Sequence, residues 1–579
     1  MMLPVRPAAQ GEGHKMETST SKKTDAARRV ILLGLDGGTF YLLQPWVEEG
    51  LMPNLGRLMS RSAWGDLEST IPATTPPAWS TCVTGKHPGK HGIYDFRESF
   101  LRHQLRPLIN SGSIRARKLW EILADHGKRS GLVSVPITYP PEPVNGFVIS
   151  GLLTPDGESH YTSPPELKED LLKGIDDFVV NIDIPKYDTY ALDDALAFLD
   201  ETLYSLQKRR DAFFYLMKNQ PWDFFMIVFI FADRIQHLFW KYIDPETKLY
   251  RSKRAGQLRD KILQCYRTFD EMLEPVEKQL DDDTQLFIMS DHGFGATRAW
   301  INVNTYLARL GWLKLKKGQS LHKSLFTTFM NVGEHPLTKK LLPEALQRKV
   351  RGRVRSTRSS FKSDVEAAVD WSRTKAFFAS IPTQGVYINI KRDGFGVVEP
   401  GTEYEKLRAE IKEKLLALRD PRTKEAVIDK IWFKEEIYQG PQAKYAPDLI
   451  FVAREYAYLG RQLFGDRKII RSAEDLPVGF HRSNGIFLAH GSMIREGLSI
   501  DGASIADIAP TILYTMGLPV PDDMDGTVRE EIFRDGILQN RPVAFAEAAQ
   551  YQETEEEETY SEEETEKIKN RLRSLGYIE

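Results

Sequence analysis

Apolar runs that stop abruptly on acidic or imidazole side chains set the pattern of this chain. Val30–Leu35 (VILLGL) is continuous rather than alternating and ends in Asp36-Gly37-Gly38. Such continuity marks a strand buried on both faces. Phe224–Phe231 (FFMIVFIF) ends in Ala232-Asp233, with His237 four residues on. Thr284–Ser290 makes a third strand, whose apolar part runs into Ser290-Asp291-His292-Gly293-Phe294-Gly295. Gly131–Val135 reads as another strand, and Trp371–Ile390 as a pair of strands. Between them, apolar residues recur at helical spacing over Met52–Ser60, Ile114–His126, Leu192–Asn219 and Tyr404–Leu418, and over Ile505–Met516 with an interruption at Pro510. Helices alternating with buried strands predict an α/β fold built on a doubly wound, mostly parallel sheet. Ligands of such sheets gather beyond the carboxyl ends of the strands. Asp36, Asp233 and Asp291 sit at three such ends.

The stretch Ile71–Phe96 (IPATTPPAWSTCVTGKHPGKHGIYDF) is dense in Thr, Pro, Gly and His, a mixture that seldom builds a core. Thr74 and Thr75 precede Pro76-Pro77, so their hydroxyls sit on a stiff corner. A threonine hydroxyl needs a base or a metal before it attacks anything. The plainer reading is that both cap a helix beginning near Pro76. That reading is compatible with catalysis, because helix N-terminal N–H groups suit a phosphoryl oxygen. Asp233 and His237 share one helical face; the plainer alternative is an N-cap and a core histidine. Asp36 has the same N-cap alternative. Asp291 and His292 are consecutive and converge only on a turn, which Gly293 and Gly295 permit. His481 is placed in a loop between Gly479 and Asn484-Gly485. His490, after an apolar strand, reads as structural, and Cys82 as a small buried residue rather than a nucleophile.

At 579 residues the chain exceeds what one core comfortably holds, so one large domain with insertions or two domains is expected. A formal net charge of −3 gives no global pull toward nucleic acid or membranes. The two cysteines, Cys82 and Cys265, imply no disulfide framework. Met1–Ala27 is polar and lacks the apolar stretch of a signal peptide, and no run is long enough to span a membrane. The expectation is a cytoplasmic protein without a specific nucleic-acid reader motif, and no pattern fixes an oligomeric state.

The motifs LGLDGG, PATTPPAWSTCVTGKHPGKHGI, DRIQH, SDHGF and GFHRSNG, in that order, resemble the alkaline phosphatase superfamily, within it the type I phosphodiesterase/nucleotide pyrophosphatase family. Similarity continues through KLWEILADHGKRSG, VPITYPPEPVNG, VYINI, APDLIF and DIAPTILYTMGLPVPDDMDG, covering roughly Arg29 to Phe533. The resemblance implies an alkaline phosphatase-like fold with Thr75 as nucleophile beside two divalent ions. It implies one ion held by Asp233, His237 and His481, and another by Asp36, Asp291 and His292 with the Thr75 hydroxyl. Zn²⁺ suits these mixed ligands, and Mn²⁺ or Fe²⁺ is compatible. One ion would lower the Thr75 pKa; the other would stabilise the departing oxygen and then activate the water that releases phospho-Thr75. Ala78-Trp79 follow the prolines with no arginine, which argues against a sulfatase. Where some relatives carry a phosphate-contacting asparagine this chain has Phe96, and neighbouring Arg97 is the candidate substrate-binding replacement.

The expected organisation is a polar tail (1–28), a core in two parts (29–297 and 371–550), a basic insertion or cap (298–370), and an acidic tail with a short helix (551–579). Within the insertion, Lys339–Lys362 reads as a solvated surface or as a cap attracting phosphate-rich or membrane-surface substrates. Ser561 and Glu564 resemble a capping box for a helix ending at Gly576. The expected function is a metal-dependent phosphodiesterase acting on a phosphate ester. A phosphomonoesterase or phosphonate hydrolase on the same site, or a non-enzymatic polyanion-binding protein, are the alternatives.

Overall fold

The computed structural model describes residues 27–102, 106–316, 368–392, 394–464, 466–473, 478–551 and 560–578. The basic stretch Lys339–Lys362 and nearly all of the polar tail lie outside these residues, as does part of the acidic run. A nine-stranded sheet forms the centre. Its strands in chain order are β1 (Arg29–Leu35), β2 (Ala63–Glu68), β3 (Ser130–Val135), β4 (Gly146–Ser150), β5 (Thr162–Ser163), β6 (Phe224–Phe229), β7 (Thr284–Met289), β8 (Asn484–His490) and β9 (Leu498–Ser504). In space they run β9-β2-β8-β7-β1-β6-β3-β4-β5. The inner strands β7, β1, β6, β3 and β4 are parallel. β8 is antiparallel to both its neighbours, and β5 to β4. The sheet is the mostly parallel α/β one that the sequence predicts.

The unbroken apolar runs have a direct cause: both faces of these strands are covered. Ile31, Leu33 and Leu35 of β1 join one hydrophobic cluster, with Phe225, Ile227 and Phe229 of β6 and Leu286 and Ile288 of β7. The residues between them, Val30, Leu32, Phe224, Met226, Val228, Phe287 and Met289, join a second cluster on the opposite face. Successive strand side chains point to opposite faces, so a strand coated on both sides needs an apolar residue at every position. The second face is covered by α1 (Thr75–Thr84), and the first by α2 (Leu192–Asn219), α3 (Phe231–Ile243) and α4 (Lys253–Lys278). α5 (Ile508–Thr515) also lies on the second face, with Pro510 in its first turn, where a missing N–H is harmless. The expected interruption at Pro510 therefore does not occur. Of the helix expected over Ile114–His126, only Leu119–Asp125 is helical.

A smaller antiparallel sheet has its own hydrophobic cluster, built from Ala376–Phe378, Gly385–Ile388, Leu449–Val452 and Lys430–Phe433 with the helix Thr402–Leu416. The last helix, α6 (Glu562–Leu575), starts in the expected Ser561/Glu564 capping box and ends at Gly576 with φ of 87°. No helix among the described residues is long and apolar enough to cross a membrane.

One contact ties the sheet to the residues at its edge. Gly34 of β1 lies under the buried Trp79 ring, whose Nε1 donates to Asp36 Oδ2 at 3.0 Å. A Cβ at Gly34 would meet Trp79 Cη2 at 2.4 Å, closer than atoms in a packed core approach. Gly34→Ala is therefore expected to displace Trp79 and destabilise the protein by about 1–3 kcal/mol. The check is a lower denaturant midpoint at unchanged slope; an unaltered midpoint would mean that Trp79 has room to move.

Candidate metal centre

Six of the side chains singled out in the sequence meet at the carboxyl end of the sheet beside Thr75. Asp36 directly follows β1, and Gly37 then turns the chain at φ +73° and donates its N–H to Asp291 Oδ1 at 3.1 Å. Asp233 lies in the first turn of α3, so it is not that helix's N-cap; His237 follows one turn later, with Nε2 3.3 Å from Asp233 Oδ1. Asp36 is not a cap either, because Thr39 caps the next helix. β7 delivers Asp291 and His292, with His292 Nε2 3.2 Å from Asp291 Oδ2.

Two expectations about the local backbone are corrected. His481 is on a strand, Gly479–Arg482, which pairs antiparallel with Gly293–Ala296. Gly293 and Gly295 belong to that ribbon and do not make a turn. A Cβ at Gly293 would strike the Asn484 carbonyl at 2.0 Å, and one at Gly295 would strike Arg482. Close approach, not an unusual φ, sets both positions: a fixed carbonyl at Gly293 and the Arg482 guanidinium at Gly295.

The three imidazoles are held alike. His237 Nδ1 donates to the Gly479 carbonyl at 3.1 Å, His481 Nδ1 to the Ala73 carbonyl at 3.0 Å, and His292 Nδ1 to the Gly293 carbonyl at 3.2 Å. A carbonyl only accepts, so each Nδ1 carries the hydrogen, and in a neutral ring each Nε2 presents a lone pair. These lone pairs converge: His237 Nε2 is 3.1 Å from His481 Nε2. Two acceptors at that distance cannot bond to one another, and both lie beside Asp233 Oδ1, at 3.3 and 3.4 Å.

The carboxylates are equally short of partners. Asp36 Oδ1, Asp233 Oδ2 and Asp291 Oδ2 are buried with no hydrogen-bond partner. Burial, and then the neighbouring Asp291 and Asp233, raise the Asp36 carboxyl well above its ordinary range. Burial likewise raises Asp291 well above its own. At Asp233 burial also acts upward, but His237 and His481, when they carry a proton on the nitrogen facing it, outweigh burial and hold this carboxyl low. Burial pushes His481 down to about 4 and His292 well below its usual value, so both rings are neutral at neutral pH. Such a cluster of lone pairs and orphaned carboxylate oxygens fits divalent cations. Two donor sets fall within 4.8 Å: Asp233, His237 and His481, and Asp36, Asp233 and His292. Asp233 is common to both. Asp291 abuts the second set through His292.

Thr75 is in the first turn of α1, with Oγ1 3.2 Å from His292 Nε2. Neither threonine acts as a cap: Thr74 is at the N-cap position, but its hydroxyl has no hydrogen-bond partner. The row of N–H donors expected there is also absent. Pro76 and Pro77 carry no N–H, and the Ala78 N–H bonds the Thr74 carbonyl at 3.0 Å, which leaves the Thr75 N–H as the donor of that turn. Arg97 has its Nε on the Arg106 carbonyl at 2.6 Å and pairs with Leu108 in a β-bridge. Phe96 packs on the Tyr577 ring at 4.7 Å. His490 is structural as expected, held by Ser62 and the Arg61 carbonyl, and Cys82 is buried.

Two site residues were not singled out from the sequence. Trp79 is in the threonine stretch, but nothing in the pattern says that its indole holds Asp36. Tyr577 Oη donates to Asp233 Oδ1 at 2.7 Å. Two apolar residues, Tyr577 and Ile578, directly beyond a helix-ending glycine were the available signal for it.

The family model for type I phosphodiesterase / nucleotide pyrophosphatase matches residues 30–483. No curated protein matches the sequence. Solved structures similar to the chain include human ectonucleotide pyrophosphatase/phosphodiesterase 5, with 14% identity and a TM-score of 0.46, covering 88% of this chain and 100% of that one. An inactive variant of the murine protein in complex with AMP has 12% identity and a TM-score of 0.46, with the same coverages of 88% and 100%. Phosphonoacetate hydrolase from Sinorhizobium meliloti in complex with phosphonoacetate has 12% identity and a TM-score of 0.47, covering 85% of this chain and 96% of that one.

The raised carboxyls make the centre sensitive to pH. Asp36 and Asp291 keep protons that ordinary carboxylates would have lost, and an ion that binds them must displace those protons. Ion uptake is expected to release protons and to weaken as pH falls. Calorimetry in buffers of different ionisation enthalpy measures this; heats independent of the buffer would count against both carboxylates as ligands.

Proposed function

The chain belongs to the type I phosphodiesterase / nucleotide pyrophosphatase family, and we propose that it is a metal-dependent hydrolase that splits phosphate diesters by way of a phosphorylated Thr75. The observation that carries this reading is the convergence of one threonine oxygen with three outward-facing imidazole Nε2 atoms and three buried carboxylates. Asp233, His237 and His481 would hold one divalent ion, and Asp36, Asp291 and His292 the other, with Zn²⁺ the best match to the donor set. When bound, the ions supply positive charge that favours an ionised threonine and offsets the charge gathering on the leaving oxygen.

The remaining work falls to the protein. Main-chain carbonyls fix the three rings at Nδ1, so the ligand atoms need no reorientation on loading. Trp79 and the Gly37 N–H hold Asp36 and Asp291 in the same way. The Thr75 corner is stiffened by Pro76-Pro77, which keeps Oγ1 aimed into the centre; as Oγ1 gives up its proton and bonds to phosphorus, the P–O bond to the leaving alcohol breaks, the departing oxygen takes up a proton, and a water then cleaves the Oγ1–P bond and returns a proton to Thr75. The Thr75 N–H can donate to a phosphoryl oxygen. Burial of every one of these groups keeps bulk water away and strengthens each charge interaction. Phosphoryl transfer asks chiefly for positioning and charge neutralisation, and those are what the site offers.

The test is turnover of bis-p-nitrophenyl phosphate against p-nitrophenyl phosphate by ion-loaded protein. The diester is expected to be the better substrate. Thr75→Ala is expected to lose roughly a thousandfold or more in kcat while retaining its ions, and Thr75→Ser to keep a measurable fraction. A preference for the monoester would make the protein a phosphomonoesterase. Salt-sensitive polyanion binding with no turnover would make it a binding protein.

A further inference from the structure

Tyr577 is contributed by a segment that the matched family region, residues 30–483, does not reach. Its hydroxyl lies 2.7 Å from Asp233 Oδ1 and 3.3 Å from His481 Nε2. Its ring stands edge-on to His237, with centroids 4.8 Å apart, and rests on Phe96. Tyr577 is 1% exposed. The phenol thus touches every member of one donor set, next to the centre that Thr75 Oγ1 faces.

The segment is built into the fold. α6 buries Ile568, Leu572 and Leu575 in the main hydrophobic cluster. Arg571, itself buried, donates to the carbonyls of Thr154 and Pro155 at 3.1 and 2.6 Å. Beyond Gly576, the Tyr577 N–H returns to the Leu572 carbonyl at 3.0 Å, and Ile578 is buried as well. Such helix-ending bonds fix the backbone from which the phenol projects. A removable plug would need a looser attachment.

We propose that Tyr577 is a substrate-contacting residue of this centre, whose phenol O–H donates to a non-bridging oxygen of the phosphoryl group transferred to Thr75. The proposal rests on the hydrolase reading above. A phenol has one O–H to donate, and in this structure it goes to Asp233 Oδ1. When Asp233 turns its lone pairs to a cation, that oxygen becomes a weaker acceptor for the phenol. The O–H can then turn to another acceptor. A non-bridging oxygen of a phosphoryl group on Thr75, two bonds from Oγ1, would be that acceptor. Hydrogen bonds to a charged oxygen are about twice as strong as neutral ones.

Tyr577→Phe removes the oxygen and leaves the ring packing on Phe96 and His237. Three quantities are compared with wild type in the whole, ion-loaded protein: bound ions by metal analysis, affinity for inorganic phosphate and orthovanadate by calorimetry, and kcat/KM for the diester. The expected result is unchanged ion content, with affinity and kcat/KM both reduced roughly 10- to 100-fold. Equal affinity and turnover in the variant would overturn the proposal and leave the hydrolase reading intact. Faster turnover or tighter phosphate binding would also overturn it and make Tyr577 an obstruction. Loss of bound ions would overturn it in favour of a role in holding the cation. Wild-type protein that binds neither anion and turns over no ester would remove the hydrolase reading and this proposal together.

Discussion

Three imidazoles with their Nδ1 hydrogens committed to main-chain carbonyls leave three lone pairs aimed into one small volume, next to three carboxylates. In a dry interior such a gathering of negative poles repels itself, and unpaired buried carboxylates are strongly disfavoured. Desolvation raises the Asp36 and Asp291 carboxyls, and a cation would act in the opposite direction. Much of the rest of the architecture serves to hold these groups together against their repulsion. The sheet supplies rigid strand ends, the Gly293–Ala296 and Gly479–Arg482 ribbon brings in His481, and the close-packed clusters on both faces keep the strands from yielding.

The positions of the donors follow from the sheet's direction. β1, β6 and β7 are adjacent and parallel, so the residues leaving their carboxyl ends lie side by side. Asp36 and Asp291 come from the turns themselves, while Asp233 and His237 come one step later, on a helix that begins directly after its strand. Each mode of delivery is stiff. Asp233 stands where the two donor sets overlap, so its position constrains both.

The parts of this arrangement legible in the sequence were those written in short, local patterns. Unbroken apolar runs marked β1, β6 and β7, and the acidic residues at their ends were visible without knowing how the chain folds. The four-residue spacing of Asp233 and His237 placed them on one face correctly. The capping box at Ser561 and the stop at Gly576 were read from residue type alone. What failed depended on contacts between distant segments. Gly293, Gly295 and Gly479 suggested a turn or loop, but a neighbouring backbone passes too close for a Cβ at Gly293 and Gly479, and the Arg482 side chain does so at Gly295; no local pattern distinguishes these causes. The threonine corner misled for a different reason: a helix start was expected to offer N–H groups, yet the prolines that stiffen it also delete them. Tyr577, the polar group that packs on Phe96, arrives from far along the chain, where no local pattern ties it to the site.

The placement of β8 bears on how the molecule reaches this state. It sits between β7 and β2 and pairs Asn484 with Glu68, so the sheet closes only when its late and early segments have met. Pairings so distant in sequence require large loops to be closed before any contact rewards them, and they make folding slow. The ribbon bearing His481 leads directly into β8, so the donor set it completes is assembled late in that process. An ion at Asp233, His237 and His481 can therefore be held only once β8 has found its place in the sheet.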